Sequence, residues 1–362
     1  MSEEQMTDIS VKKPRNEYID FLRGIAMLGV PICHTAFWYG QSYVPEWFRN
    51  LTLLFDMPFF FYLSGWSSSF RKADVRKSAR GVMGIWYKWV FFVTILALYC
   101  CISRWLPVYS EGVLSLGDYV NNLFFNVSFP GIPVLGGSIW FLPYYILVVM
   151  INAIVLVVIQ KNDGYEKHQR TYMWLLLATF VWTCFGQYFM GLNATDFLFY
   201  AFFWMMGLNG IFRQLSVKKG AFWLAVSVAG FYIMSKAQGL RFYDIQNAKF
   251  PTATLKFFFF CLIPIILAGM LNGRLKHFGR FLPHVGRNSM FYFFAQNVVT
   301  SWNGYAVEYI RIDNWFVKWI ITAVIAVAGT IILAELLALL YKPIEKCAAC
   351  IADKVKNIYS TL

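Results

Sequence analysis

Charge is what this chain has least of. Only 14% of its 362 residues are Asp, Glu, Lys or Arg while 59% are hydrophobic, and a soluble globule cannot clothe its surface with so little polar material. Acidic groups are scarcest, 19 against 32 Lys and Arg. The cations sit in short stretches between apolar runs, a distribution that reflects topology and makes nucleic acid an improbable partner. No cleavable signal peptide is legible, because the first 17 residues are polar and the apolar stretch after them is too long and too polar for an h-region. The seven cysteines fall mostly inside apolar runs, where they read as small filler. Cys347 and Cys350 form a lone C-x-x-C with no second pair and no nearby His, so no metal site is expected.

What the chain does have is lipid-compatible length. Runs of roughly membrane-spanning extent can be read at about 18–39, 51–69, 82–103, 138–160, 172–190, 196–212, 221–237, 253–272, 288–303 and 317–341. With the N-terminus inside, 22 of the 32 cations, among them Arg15, Arg71, Arg76, Lys77, Arg80, Arg213 and Lys346, fall in inner segments. Eight, including Lys249 and Lys256, fall in outer segments or their edges. That bias orients the chain with both ends in the cytoplasm. The expected fold is all-α, a polytopic transmembrane helical bundle of about ten spans. Residues 1–14 form a cytoplasmic tail, 15–345 a single membrane domain and 346–362 a second tail, which reads as an interfacial helix. The longest outer segment, 104–137, is rich in Gly and Pro around one short helix near 118–127 and is a candidate lid or acceptor-side wall. No internal repeat is apparent, which argues against inverted-repeat transporters.

Polar groups inside the spans need a partner or a use. The first run holds Asp20, Arg23 and His34. Asp20 and Arg23 are close enough on a helix to pair. Arg23 and His34 are eleven residues apart, about three turns, so they share a face roughly 16 Å apart along the axis. A cation near the inner surface and an imidazole deep in the membrane suit a thioester cofactor whose anionic end stays at the basic surface while a narrow arm carries an acyl group inward. Such an imidazole can take the proton of an acceptor hydroxyl; a structural, hydrogen-bonded histidine is the plainer alternative. Ser64-Gly65 reads as a site of close helix approach. Arg71, Arg76, Lys77 and Arg80 obey the positive-inside rule and are dense enough to bind phosphate. Trp140 reads as an interfacial anchor, Asn288-Ser289 as a helix cap, and Gln296 with Asn297 as a cavity wall or interhelical hydrogen bond. Glu335 calls for a basic partner.

These residues also follow a pattern. Arg15-(x4)-Asp20-(x2)-Arg23-Gly24-(x9)-His34, Met57-Pro58-(x2)-Phe61-(x2)-Ser64-Gly65, Trp140-Phe141-Leu142, Gly286-x-Asn288-Ser289 and Tyr341-(x2)-Ile344-Glu345-Lys346 resemble, in order, landmarks of the membrane-bound acyltransferase family 3. The similarity is strongest to its fucose 4-O-acetylase-like members and covers nearly the whole chain. The resemblance implies a ten-helix core that takes acetyl from cytoplasmic acetyl-CoA and delivers it to a glycan on the outer side. It makes His34 the catalytic histidine and Arg23 its partner. Arg15, Asp20, Arg71, Arg76, Lys77 and Arg80 become candidates for the cofactor end, and Ser64, Trp140, Asn288, Ser289 and Gln296 for the acceptor. The family's Arg-x-x-Arg has a near match in Lys77-Ser-Ala-Arg80. Asp56 stands where relatives often carry His before Met-Pro, and Gln296 where many carry His in the ninth span; both departures bear on acceptor choice.

The expected function is therefore that of an integral inner-membrane O-acyltransferase of surface polysaccharide or its lipid-linked precursor. Its partners are acyl-CoA, the glycan acceptor and membrane lipid, with the oligomeric state left open. His34 serves either as general base or as the site of an acyl-His intermediate. Export of the glycan is the alternative for a polar cavity across a bilayer. The sequence alone leaves open acetyl against succinyl, the acceptor sugar and any separate acyl-accepting protein.

Overall fold

The computed structural model describes residues 15–103, 114–127, 129, 131–186, 192–275 and 279–361. Parts of the outer segment at 104–137, the first tail, and the side chains of 348–361, Cys350 among them, lie outside the described residues. Among the described residues every regular element is helical. In chain order they are α1 (Glu17–His34), α2 (Glu46–Leu51), α3 (Met57–Ser68), α4 (Val75–Ser103), α5 (Leu116–Leu123), α6 (Pro133–Ser138), α7 (Phe141–Ile159) and α8 (Tyr165–Gly186). They continue with α9 (Leu192–Leu208), α10 (Val217–Ala237), α11 (Gln246–Lys249), α12 (Leu255–Leu271), α13 (Phe281–Arg287), α14 (Ser289–Val307) and α15 (Trp315–Thr361). Five helical stretches are long and apolar enough to cross a membrane: Glu17–Ser42, Val75–Ile102, Pro133–Ile159, Val217–Ala237 and Trp315–Cys347. Each of the ten apolar runs nevertheless contains a helix.

Local chemistry sets the ends. Asn16 caps α1 by accepting the N–H groups of Tyr18 and Ile19 at 3.0 and 3.3 Å, which satisfies two of the orphan donors of the first turn. Ser115 and Asp118 cap each other's backbone at the start of α5, a capping box. The run at 51–69 departs from a single span. Asp56 is extended and caps a helix of 12 residues with Pro58 in its first turn, so α3 rises only about 18 Å and the residues before it form α2 and a 3-10 turn. The tail read at 346–362 continues α15 without a break through Pro343 to Thr361.

Because lipid is as apolar as leucine, exclusion from water does not press membrane helices together; close backbone approach does much of that work. Here it occurs in reciprocal pairs. A Cβ added at Gly65 of α3 would fall on the carbonyl oxygen of Trp204 in α9, and one at Gly207 of α9 would fall on that of Tyr62 in α3. Likewise Gly24 of α1 lies on the carbonyl of Leu282 in α13, and Gly286 of α13 on that of Asp20 in α1. The contact expected at Gly65 is thus present. Phe61, Tyr62 and Leu63 are fully buried, so α3 is enclosed by protein.

Gly65→Ala and Gly207→Ala should each lower the melting temperature of the purified protein, at a cost of a few kcal/mol, since overpacking against rigid backbone costs about 1–3 kcal/mol or more. Gly81→Ala, where a Cβ meets nothing within 4 Å, should be neutral or stabilising by up to about 1 kcal/mol through helix propensity.

Candidate functional site

His34 is the last residue of α1 and is followed by a π-helical turn, Thr35–Tyr39, a feature frequent at functional sites. Its ring stands on the wall of a cavity of about 250 Å³ that is also lined by Trp38, Asp56, Trp140, Gln246, Lys249 and Phe250. Nδ1 lies 2.8 Å from Oε1 of Gln296, whose side chain is fully buried in α14. An amide oxygen can only accept, so the imidazole proton belongs on Nδ1 and the lone pair on Nε2. That tautomer is the one a general base requires. His34, Gln296 and Trp140, far apart in sequence, meet here.

The cavity also holds a pair that sequence reading missed. Lys249, at the end of α11, sits with Nζ 2.6 Å from Oδ2 of Asp56, and the two side chains are 8% and 6% exposed. The ammonium lies 5.1 Å from the centre of the Trp140 ring and 4.9 Å from that of Phe250, within cation–π range. From sequence, Lys249 was one of the eight cations of the outer segments, with no sign of its burial. The signal was in Asp56, an acid within an apolar run that calls for a basic partner.

Arg23 does not line this cavity. It is held three turns away, with Nη2 3.4 Å from the carbonyl of Leu63 and Nη1 3.8 Å from Asp20. Arg23 and His34 stand on one helix, with Pro31 between them. Asp20 pairs more closely with Arg15, by two hydrogen bonds, one of 2.9 Å. Being 1% exposed, it orients two arginines and is not itself open to a ligand. Beyond this end lie Arg71, Arg76, Lys77 and Arg80, all exposed. Asp74 caps α4 by accepting the Lys77 N–H at 3.1 Å; that bond holds its carboxyl below the usual range, with the Lys77 ammonium reinforcing it. Arg213 joins this end from the α9–α10 turn, donating to Ser69 Oγ at 2.6 Å and lying over Trp66 and Phe70.

The remaining acceptor candidates are elsewhere. Ser64 bonds Tyr145 Oη at 2.9 Å between α3 and α7. Asn288 donates to the carbonyl of His284 at 3.2 Å and Ser289 opens α14; neither lines the cavity, which α14 reaches one turn later with Phe293. Among the described residues Glu335 makes no ion pair with lysine or arginine; His284 Nε2 lies 2.7 Å and Tyr292 Oη 2.6 Å from its Oε1. Neither His284 nor Tyr292 stood out in the sequence, since a turn histidine and one tyrosine of many carry no spacing signal. Among the described residues no group of His, Cys, Asp and Glu could hold a metal.

Contacts between turns sort the two ends. Tyr18 Oη of α1 bonds the carbonyl of Ala268, near the end of α12, at 2.6 Å. At the other end the Asn50 side chain accepts the N–H groups of Ile245 and Gln246 at 2.8 and 2.7 Å, and Tyr39 Oη bonds the Ser301 carbonyl at 3.1 Å.

Neither the curated proteins nor the solved structures include a match to this chain. The model of one family, described as an acyltransferase domain, matches residues 16–335 and so takes in α1, the His34 cavity, the basic turn after α3 and α15 as far as Glu335. A multi-pass helical membrane protein with a histidine on its cavity wall, this chain belongs to that acyltransferase family.

Proposed function

We propose that this protein transfers an acyl group, acetyl in the first instance, from cytoplasmic acyl-CoA to a hydroxyl of a cell-surface polysaccharide or its lipid-linked precursor. The observation that carries this reading is the His34–Gln296 hydrogen bond at 2.8 Å, which leaves Nε2 unprotonated on the wall of a cavity. The basic turn and the Arg15–Asp20–Arg23 cluster lie toward the other end of the same helix. An acceptor hydroxyl in the cavity gives its proton to Nε2 as its oxygen attacks the thioester carbonyl. The carbon–sulfur bond then breaks, and the imidazolium returns the proton to the departing thiolate. Arg15, Arg71, Arg76, Lys77 and Arg80 supply the cationic surface for the nucleotide end, and Arg23 stands between that surface and the histidine. Asp20 keeps Arg15 and Arg23 in place.

Ten crossings with both termini in the cytoplasm, in the inner membrane, fit this reading. The turns that touch at the Arg15 end and those that touch at the His34 end are the ones that a ten-span path puts on common sides, and the cations favour the Arg15 end. Reporter fusions at the turn after α3 and at the C-terminus should therefore both report cytoplasm, and a fusion at the α10–α11 turn should report the opposite side.

Purified protein should release CoA from acetyl-CoA, and His34→Ala should reduce this by about 10²–10⁴-fold, the usual worth of a general base, with unchanged size-exclusion behaviour. Full activity in that variant would refute the mechanism. Gln296→Leu should lower kcat at least tenfold with little change in the KM for acetyl-CoA, because the wrong tautomer becomes accessible. Replacing Arg71, Arg76, Lys77 and Arg80 together by alanine should do the converse, raising the KM for acetyl-CoA and flattening its dependence on ionic strength. A salt response identical to that of the unaltered protein would remove these cations from the donor site.

A further inference from the structure

We propose that the Asp56–Lys249 ion pair is the acceptor-recognition element of the cavity, and that the acceptor it takes is an uncharged sugar ring. The proposal rests on the acyltransferase reading above and names the class of substrate for the same site. Burying an ion pair is costly and seldom justified by stability alone. The α11 turn is already tied to α2, six residues before Asp56, by Asn50, which accepts the amides of Ile245 and Gln246 at 2.8 and 2.7 Å. Asp56 is itself fixed, since its Oδ1 accepts the Met57 N–H at 2.6 Å as the cap of α3. Lys249 is fixed in turn by Asp56 Oδ2 at 2.6 Å and by the flanking rings of Trp140 and Phe250. An ammonium has three N–H donors, and one suffices for Asp56. The pair thus presents rigid donors and a carboxylate on the same cavity wall as His34.

Its net charge selects the ligand class. The cation and the carboxylate cancel, and among the described residues the lining holds no other Asp, Glu, Lys or Arg; its further polar groups include the imidazole of His34, the hydroxyls of Thr52 and Ser138 and the amides of Gln41 and Gln246. A uronate or phosphosugar would have to compete with Asp56 for Lys249 or leave its charge unpaired, which a site built this way rejects. Hydroxyls meet both halves of the pair without that conflict. Trp38, Trp140 and Phe250 line the cavity and give the apolar faces of a pyranose aromatic surface to cover. At about 250 Å³ the space falls below the range of about 300–1,000 Å³ usual for drug-sized ligands, which suits a single ring with the rest of a glycan outside.

The test uses the full chain in detergent with radiolabelled acetyl-CoA and two probe acceptors of the same stereochemistry, methyl β-D-glucopyranoside and methyl β-D-glucuronide. The glucopyranoside should be acetylated with kcat/KM at least tenfold above that of the glucuronide. In the double variant Lys249→Met/Asp56→Asn, which removes both charges and so leaves neither unpaired while keeping a capping side chain, the KM for the glucopyranoside should rise at least tenfold. The KM for acetyl-CoA should stay within twofold, and Lys249→Arg should retain acceptor binding within a few-fold. Preference for the glucuronide would overturn the proposal. So would a double variant in which the KM for acetyl-CoA rises and that for the glucopyranoside does not. A failure of the underlying reading shows separately, as CoA release from acetyl-CoA that His34→Ala does not reduce.

Discussion

A charged group among membrane-spanning helices must be paired or bonded to backbone, because hydrocarbon offers it nothing. Most of what is distinctive in this protein follows from that constraint. Asp20 takes two arginines. Lys256, fully buried, donates to the carbonyls of Arg241 and Asp244 at 2.6 and 2.8 Å. Glu335 is met by an imidazole and a phenol. In each arrangement the charged group has its partner within the protein. At the His34 cavity Gln296 satisfies one ring nitrogen of a histidine that lines open space.

The same economy shapes the scaffold. Since lipid exclusion does not compress the bundle, the helices that hold the site are brought together where glycines let one backbone rest on another, α1 on α13 and α3 on α9. The reciprocal glycines fix both the distance and the register. The α3 side of this arrangement carries Asp56 at its first cap, and α1 carries His34 at its last turn, so the two crossings set where the imidazole and the ion pair meet. A short helix enclosed by protein is the physical reason the second apolar run does not form one uninterrupted span.

Much of this was legible in the residues. Apolar runs separated by cations announced helices and their order, and the eleven-residue interval between Arg23 and His34 announced a common stripe, because helical periodicity is a local property. The glycine after Ser64 announced a close contact, since a small residue in an apolar run has few other uses. Lys249 was not legible as a site residue: a lysine in a short turn looks solvated until the turn is seen folded over Asp56. The partners of Glu335 escaped for a related reason, as pairing between residues 43 and 51 positions apart leaves no mark at either position. Asn288 stands at the N-cap position of α14, but its side chain turns back to His284 and makes no capping bond.

By itself the sequence determined that this chain is helical and lodged in a membrane, and it marked one helix as bearing both an arginine and a histidine. Those properties depend on composition and on spacing within single segments. Only the tertiary structure decided that the imidazole is backed by Gln296, that Asp56 and Lys249 share its cavity and that Arg23 stands apart from it. Each of these depends on where separate helices cross, and the crossings are set by contacts between backbones that no single segment encodes.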